Sequence, residues 1–313
     1  MLRLAHISDV HLGPLPDVSY RELASKRVIG YVNWHRSRRR ILTQGTVGAI
    51  VEAIRAEKPD HLAVTGDLVN LALDSELELA RLWLETLGRP EDVSVVPGNH
   101  DAYVPGAFDK ACRLWAPWMR GDGYDGPVGR LTFPYLRVRG QVALIGVSTA
   151  RATAPFMANG FFREEQATRL ARLLDEAGRK KLFRVIMIHH PPVRAAVQQH
   201  KRLFGIANFH RTVLAHGAEL VLHGHSHDPT LYWIGERKKP IPVVGVAATG
   251  QGPGGRHPAA QYNLVEISGE PGAWHIGLSR HGLTDTLGAV SEIETLDLGS
   301  PRRAPAPFEN AAS

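Results

Sequence analysis

The stretch Asp92-Val93-Ser94-Val95-Val96-Pro97-Gly98-Asn99-His100-Asp101 decides how the rest of the chain is read. It opens as a short apolar strand and turns through Pro-Gly into residues that bind metal or move protons. Four other stretches repeat the arrangement. Arg3–Ser8 reads as a strand ending in Asp9-Val10-His11, and His61–Thr65 ends in Gly66-Asp67. Phe183–Ile188 ends in His189-His190-Pro191-Pro192, and Leu220–Leu222 in His223-Gly224-His225-Ser226-His227. In open α/β sheets, ligands gather beyond the carboxyl ends of strands, so five such ends can converge on one point.

Helical patterns separate these strands. Residues 20–57 read as mostly helical, with Val47, Ile50, Val51 and Ile54 on one face and a stop at Lys58-Pro59-Asp60. Ser75–Leu87 is a helix in which Ser75 and Glu78 form a capping-box pattern and Gly88 a C-terminal stop. Val142–Ser148 is a strand, and Glu164–Ala177 a helix ended by Gly178. From Leu231 the helical period stops. Leu231–Ile234, Pro242–Ala247, Tyr262–Ile267 and Trp274–Leu278 read as strands between Gly and Pro turns. The expected fold is therefore α/β, with a mixed sheet followed by added antiparallel strands. Ser300–Ser313, rich in Pro and Ala, reads as a disordered tail, and no internal repeat is evident.

Composition narrows the class. The chain has 313 residues, 43% apolar and 22% charged, as expected for a folded globular protein. No apolar run approaches a membrane span, and Arg3, His6 and Asp9 interrupt the start as a secretory signal. With Cys112 as the single cysteine there is no intrachain disulfide, and a cytoplasmic location is expected. The net charge of +6 lies wholly in residues 21–40, where seven basic residues face one acidic. Elsewhere basic and acidic residues balance at thirty each.

The donors at the strand ends suit divalent transition metals. Carboxylates, imidazoles and one amide oxygen are their usual ligands. In Asp9-Val10-His11 and His225-Ser226-His227 the donors are two apart, and an extended chain would point both to one side. Asp9, His11, Asp67, Asn99, His189, His225 and His227 make seven candidates, too many for one four-coordinate zinc. Two ions sharing a carboxylate fit better, and a metal pair is a general device for displacement at phosphorus. His200, His210 and His216 could line the pocket but read more readily as surface or capped residues, and the flexible loop 250–255 could cover a substrate but reads more readily as a plain connection.

In this order the five blocks resemble the calcineurin-like metallophosphoesterase superfamily: Asp-x-His, Gly-Asp, Gly-Asn-His-Asp, His and Gly-His-x-His. The resemblance covers about Leu2 to Ile267 and is nearest to the bacterial phosphodiesterase branch. It implies a four-layer α/β/β/α sandwich of two mixed sheets over residues 1–298, with 21–40 a basic amphipathic insertion near the site and 299–313 a tail. It gives Asp9, His11 and His227 to one metal and Asn99, His189 and His225 to the other, with Asp67 bridging. Strand-end position alone favours His189 over His190. His100 assists the leaving oxygen, and Asp101 orients and polarises His100. A metal-bound hydroxide attacks phosphorus in line, with manganese, iron or zinc as the metals.

The implied activity is a phosphoric diester hydrolase acting on a small-molecule or lipid phosphate ester. The alternatives are a membrane-associated hydrolase of lipid-linked phosphate or pyrophosphate, resembling the UDP-diacylglucosamine pyrophosphatases, a nuclease, or a non-catalytic scaffold. Residues 21–40 mix cations with Val28, Ile29, Tyr31, Val32 and Trp34. That mixture suits an anionic membrane surface on the inner face, phosphate on a nucleotide or nucleic acid, or a packed helix with solvated cations.

Overall fold

In the computed structural model, residues 1–16, 18, 23, 25–36, 44–235, 240–284 and 288–299 are described. The chain begins with β1 (Leu2–Ile7), α1 (Arg27–Arg36), α2 (Gln44–Glu57), β2 (His61–Val64), α3 (Asp74–Leu87) and β3 (Val93–Val95). It continues with α4 (Ala107–Leu114), β4 (Tyr135–Arg139), β5 (Val142–Val147), β6 (Gly160–Phe161), α5 (Glu164–Arg179), β7 (Phe183–Ile188), β8 (Leu203–Phe204) and α6 (Ile206–His216). Six strands complete it: β9 (Leu220–His223), β10 (Leu231–Ile234), β11 (Ile241–Gly245), β12 (Gln261–Glu270), β13 (Ala273–Leu283) and β14 (Val290–Asp297).

Two mixed six-stranded sheets result, in the orders β14-β13-β12-β1-β2-β3 and β10-β11-β9-β7-β5-β4. β1, β2 and β3 run parallel, as do β5, β7, β9 and β11. Alternation along the strands sets the layers. Leu144, Val185, Met187 and Leu222 share one core with the first sheet, while Ile145, Ile186, Ile188 and Val221 face away. That outer face is covered by Leu170 and Leu174 of α5 and by Phe209 and Val213 of α6. Val47, Ile50, Val51 and Ile54 of α2, with Leu77, Ala80 and Leu84 of α3, cover the first sheet. Each large apolar side chain so buried contributes about 1.5–3 kcal/mol. The architecture is the expected α/β/β/α sandwich, and both parallel strand sets present their carboxyl ends to one edge.

Several local expectations change. α3 begins at Asp74, and Glu76 rather than Glu78 reaches back to its start. The Glu76 carboxylate accepts backbone N–H bonds from Leu73 (3.0 Å), Leu71 (2.9 Å) and Asn70 (2.9 Å). Glu78 instead pairs with Arg81 at 2.7 Å on the solvent side. α5 runs through Gly178 to Arg179, and the left-handed residue that follows is Lys181, at φ 56°. The sequence reading does not contain α4, α6, β4, β6, β8 or β14. The first two carry a legible signal: Ala107, Phe108, Ala111 and Cys112, and Ile206, Phe209 and Val213, are buried at helical spacing. Residues 300–313, nearly all of the expected tail, lie outside the described residues, as do Arg21, Glu22, Arg38, Arg39 and Arg40 of the basic segment.

Candidate metal centre

Each polar cluster falls just past its strand. Asp9 and His11 follow β1, Asp67 follows β2, Asn99 follows β3, His189 follows β7 and His225 and His227 follow β9. The backbone there is left-handed rather than extended. φ is 53° at Asp9, 45° at His11, 56° at Asp67, 67° at His225 and 62° at His227. The extended-chain account of the two-residue spacing is therefore replaced: a left-handed turn at both donors of each pair brings them together. Such residues cost on the order of 1–3 kcal/mol each and persist where the surroundings hold them. Here Asp9 donates its N–H to the Gly66 carbonyl (2.9 Å) and His11 to that of Asp67 (3.0 Å). The His225 N–H donates to Asp9 Oδ2 at 2.8 Å, tying the second sheet to the first. Glycine is needed at two contacts. A Cβ on Gly98 would overlap the Asp67 carboxylate, and one on Gly224 would overlap Ser8 and Asp9.

Asp67 lies at the centre. Its Oδ1 accepts the His100 N–H at 2.7 Å. Its Oδ2 is 3.4 Å from His189 Nε2 on one side and 4.0 Å from His11 Nε2 on the other. Asp9 Oδ1 is 3.1 Å from His227 Nε2, and Asn99 Oδ1 is 3.1 Å from His189 Nε2. Donor atoms of Asp9, His11 and His227 lie within 4.8 Å of one another, as do those of Asp9, Asp67 and His189. Backbone carbonyls orient the rings: His11 Nδ1 bonds Val69 O (3.1 Å), His189 Nδ1 bonds Thr65 O (2.6 Å) and His225 Nε2 bonds Lys201 O (3.0 Å). A carbonyl only accepts, so each of these nitrogens carries the proton and the lone pair lies on the other ring nitrogen, the one that could serve as a metal ligand.

The family profile described as calcineurin-like phosphoesterase matches residues 2–229. The chain belongs to that family. It is also 27% identical over 192 residues to the glycerophosphodiester phosphodiesterase GpdQ of Enterobacter lignolyticus (strain SCF1), covering 61% of this chain and 57% of that protein. The chain thus spans little more than half the length of that relative. Among solved structures, a dimetal phosphatase from Danio rerio aligns over 95% of this chain and 98% of its own, with a TM-score of 0.60 at 14% identity. The purple acid phosphatase PPD1 of yellow lupin aligns over 95% of this chain and 53% of its own, with a TM-score of 0.56 at 12% identity. At these identities the structures show the shared fold alone.

Electrostatics explain why this calcineurin-like phosphoesterase should take up metal. Asp9 and Asp67 are buried, and burial alone would raise their carboxyls. Neighbouring rings, His227 for Asp9 and His189 for Asp67, instead hold both well below the usual carboxylate range. Burial would depress His189, yet the Asp67 charge beside it pushes it up to about 9. Among the described residues, only histidines form ion pairs with these two carboxylates. Beyond His227, Asp9 Oδ1 accepts no hydrogen bond there. Two buried carboxylates without a permanent cation are costly, and divalent ions bound by Asp, Asn and His would supply the missing charge.

The structure brings all nine expected site residues to one place, and it gives one of them a part the sequence does not suggest. Asp101 turns its carboxylate to backbone amides. Its Oδ2 accepts N–H bonds from Gly98 (2.8 Å) and Asp67 (2.9 Å), and its Oδ1 from Leu68 (2.9 Å) and Val69 (3.3 Å). It is an anchor for the two loops that carry Asp67 and Asn99. His100 is oriented by a group the sequence does not advertise, the Asn70 carbonyl, 2.5 Å from Nδ1. His190 has both ring nitrogens engaged, Nδ1 with Thr149 Oγ1 (2.7 Å) and Nε2 with Ala158 O (3.2 Å). His189 differs in what its Nε2 faces, two other expected donors, Asn99 Oδ1 and Asp67 Oδ2, although His190 also falls in a candidate metal group with His189 and His225.

The remaining histidines behave more plainly. His210 bonds the Pro192 carbonyl (2.7 Å) and His216 bonds Asp175 (2.9 Å), whereas His200 lines a cavity beside the site. Gly250 is tied to the Asp9 carbonyl at 3.3 Å, so its loop buttresses an expected ligand residue.

The basic segment departs from a purely solvated face. Lys26 reaches inward to Thr153 Oγ1 (2.6 Å) and the Met157 carbonyl (2.7 Å). Arg27 bonds the Leu71 (3.0 Å) and Ala72 (2.5 Å) carbonyls. Trp34 is buried against protein rather than displayed at a surface. No helix among the described residues is long and apolar enough to cross a membrane.

Proposed function

We propose that the protein is a phosphodiesterase using two metal ions. Asp9, His11 and His227 hold one ion, Asn99, His189 and His225 hold the other, and Asp67 lies between them. The observation that carries this reading is the position of Asp67 Oδ2 between His189 Nε2 at 3.4 Å and His11 Nε2 at 4.0 Å. When bound, such ions supply Lewis acidity and an activated water for in-line displacement at phosphorus. Manganese, iron and zinc all suit this mixed donor set.

The chain's own groups do the rest. His100 carries its Nδ1 proton toward the Asn70 carbonyl, which leaves Nε2 to serve the substrate. In its imidazolium form His100 donates that Nε2 proton to the departing oxygen. Asp101 keeps the Asp67 and Asn99 loops in register through four backbone amides. Two features support a diester over a monoester. One is the printed activity of the relative that shares 27% identity. The other is a cavity of about 320 Å³ lined by Asn99 and His100, with room for a substituent on the phosphate. Of the basic segment, Lys26 and Arg27 turn inward, so a membrane-directed role would fall to its other cations.

The test is hydrolysis of bis(p-nitrophenyl) phosphate against p-nitrophenyl phosphate by manganese-reconstituted protein. A preference of about tenfold or more for the diester is expected, with about 10³-fold loss in Asp67→Asn. A monoester preference, or no turnover of either ester with metal bound, overturns the proposal. In that event liposome co-sedimentation and lipid-linked pyrophosphates are the next measurements.

A further inference from the structure

The imidazole of His100 has two supports. Its Nδ1 faces the Asn70 carbonyl at 2.5 Å, and its ring stacks on Tyr103, with 5.3 Å between centroids and 13° between planes. Both supports come from irregular segments rather than from strands or helices. Asn70 lies between β2 and α3, in a loop that turns left-handed at Ala72 (φ 54°), and Tyr103 lies between β3 and α4.

The start of α1 closes on both of them. Arg27 Nε donates to the Leu71 carbonyl (3.0 Å) and Nη2 to that of Ala72 (2.5 Å), the two residues that follow Asn70. Glu76 binds the amides of the same loop, so Arg27 completes its hold through the carbonyls. Lys26 Nζ sits 4.6 Å from the centre of the Tyr103 ring and bonds Thr153 Oγ1 (2.6 Å) and the Met157 carbonyl (2.7 Å). Gly30, about one turn on, lets the helix come this close. A Cβ there would overlap Leu71 Cδ2 and Tyr103 Oη, and both of those side chains are buried. Three residues of one helix start thus reach the two segments that orient His100.

We propose that Lys26, Arg27 and Gly30 make α1 a clamp on His100, and that these three, with Tyr103, are positioning residues for proton transfer to the departing oxygen. The proposal rests on the phosphodiesterase reading, in which His100 serves that oxygen. It gives the start of the basic segment a part in the reaction that needs no membrane or nucleic acid. Tilting the imidazole leaves the metal-binding side chains in place but takes Nε2 away from the leaving oxygen, and a misplacement of about 1 Å can cost ~10²-fold in rate. The cost depends on the leaving group. p-Nitrophenolate departs without a proton, whereas phenolate gains from one.

A loss that varies with the leaving group is therefore the expected signature. The comparison is kcat/KM of manganese-loaded protein on methyl p-nitrophenyl phosphate and methyl phenyl phosphate. Arg27→Met and Gly30→Ala should each lose about tenfold or more on the phenyl ester and about threefold or less on the nitrophenyl ester, at unchanged manganese affinity. Tyr103→Leu should behave likewise, and Tyr103→Phe, which keeps the ring, should resemble the parent. In a His100→Ala background the same changes should add little. Equal losses on both esters, or full additivity with His100→Ala, overturn the proposal. A second readout is independent of turnover. In imidazole NMR spectra of zinc-loaded protein, the His100 resonances, assigned by their loss in His100→Ala, should move in Arg27→Met and Gly30→Ala. Unmoved resonances overturn the clamp. If they move while neither ester is hydrolysed by the parent protein, the clamp stands and the phosphodiesterase reading fails.

Discussion

Replacing Asp101 by Asn separates two physical roles for that carboxylate. The side chain is wholly buried, and its two oxygens accept four backbone N–H bonds between 2.8 and 3.3 Å. Asn keeps one oxygen and turns an NH2 group toward the other pair of donors. Two buried N–H groups are then stranded, at roughly 1–3 kcal/mol each, or about 2–6 kcal/mol in all. Against a typical total of ~5–15 kcal/mol that is a large loss. Burial and the Asp67 charge push Asp101 up to about 7, so at pH 8 its carboxylate is ionised at a cost to the fold that neutral Asn removes, and the loss belongs to pH 6, where the folded carboxyl is neutral and that cost is smaller. Guanidinium unfolding of metal-free protein should show a lower midpoint at unchanged slope. Manganese affinity should fall in parallel, because the loops bearing Asp67 and Asn99 lose their common anchor. Stability within about 0.5 kcal/mol of the parent, with intact metal affinity and a large drop in kcat, would refute the reasoning and return Asp101 to polarising His100.

Three further outcomes follow from the same geometry. Gly224→Ala, which drives a Cβ into Ser8 and Asp9, should weaken manganese binding about tenfold or more and lower stability by roughly 1–3 kcal/mol; unchanged metal affinity in a dialysis titration would contradict the close approach. His189→Gln should lose bound metal with modest effect on folding, whereas His190→Gln should lower the denaturant midpoint while retaining metal; the reverse pattern would exchange their assignments. His61, bonded to Ser94 Oγ at 2.8 Å, is held down to about 3 from 6.5, chiefly by burial and then by Arg139 and Arg137. The unfolded chain therefore takes up a proton there that the folded chain refuses, so stability is lost as pH falls from 6.5 toward 3. At pH 5 this amounts to about 2 kcal/mol. Between pH 7.5 and 5, His61→Gln should lose about that much less stability than the parent, and identical losses would rule the mechanism out.

How much of this was legible in the sequence depends on the kind of group involved. The five strand-end clusters could be read because side-chain chemistry and alternation are written residue by residue. β7 and β10 fall where Phe183–Ile188 and Leu231–Ile234 were expected. β14 could not be read, because its exposed Ser291, Glu292 and Glu294 give the edge strand the look of a loop. The partners of His100 and Asp101 were hidden for another reason. Backbone carbonyls and amides are common to all residues, so nothing in the letters marks Asn70 O or the Leu68 N–H as the group that will be used. Lys26 meets Thr153 across 127 residues, a contact that only the packing of α1 against the site decides. By itself the sequence determined the layered α/β fold and which side chains gather at the strand ends, because periodicity and donor chemistry are local properties. Only the tertiary structure decided which of them touch, since the left-handed turns at Asp9, His11, Asp67, His225 and His227 are held by bonds between loops far apart in the chain.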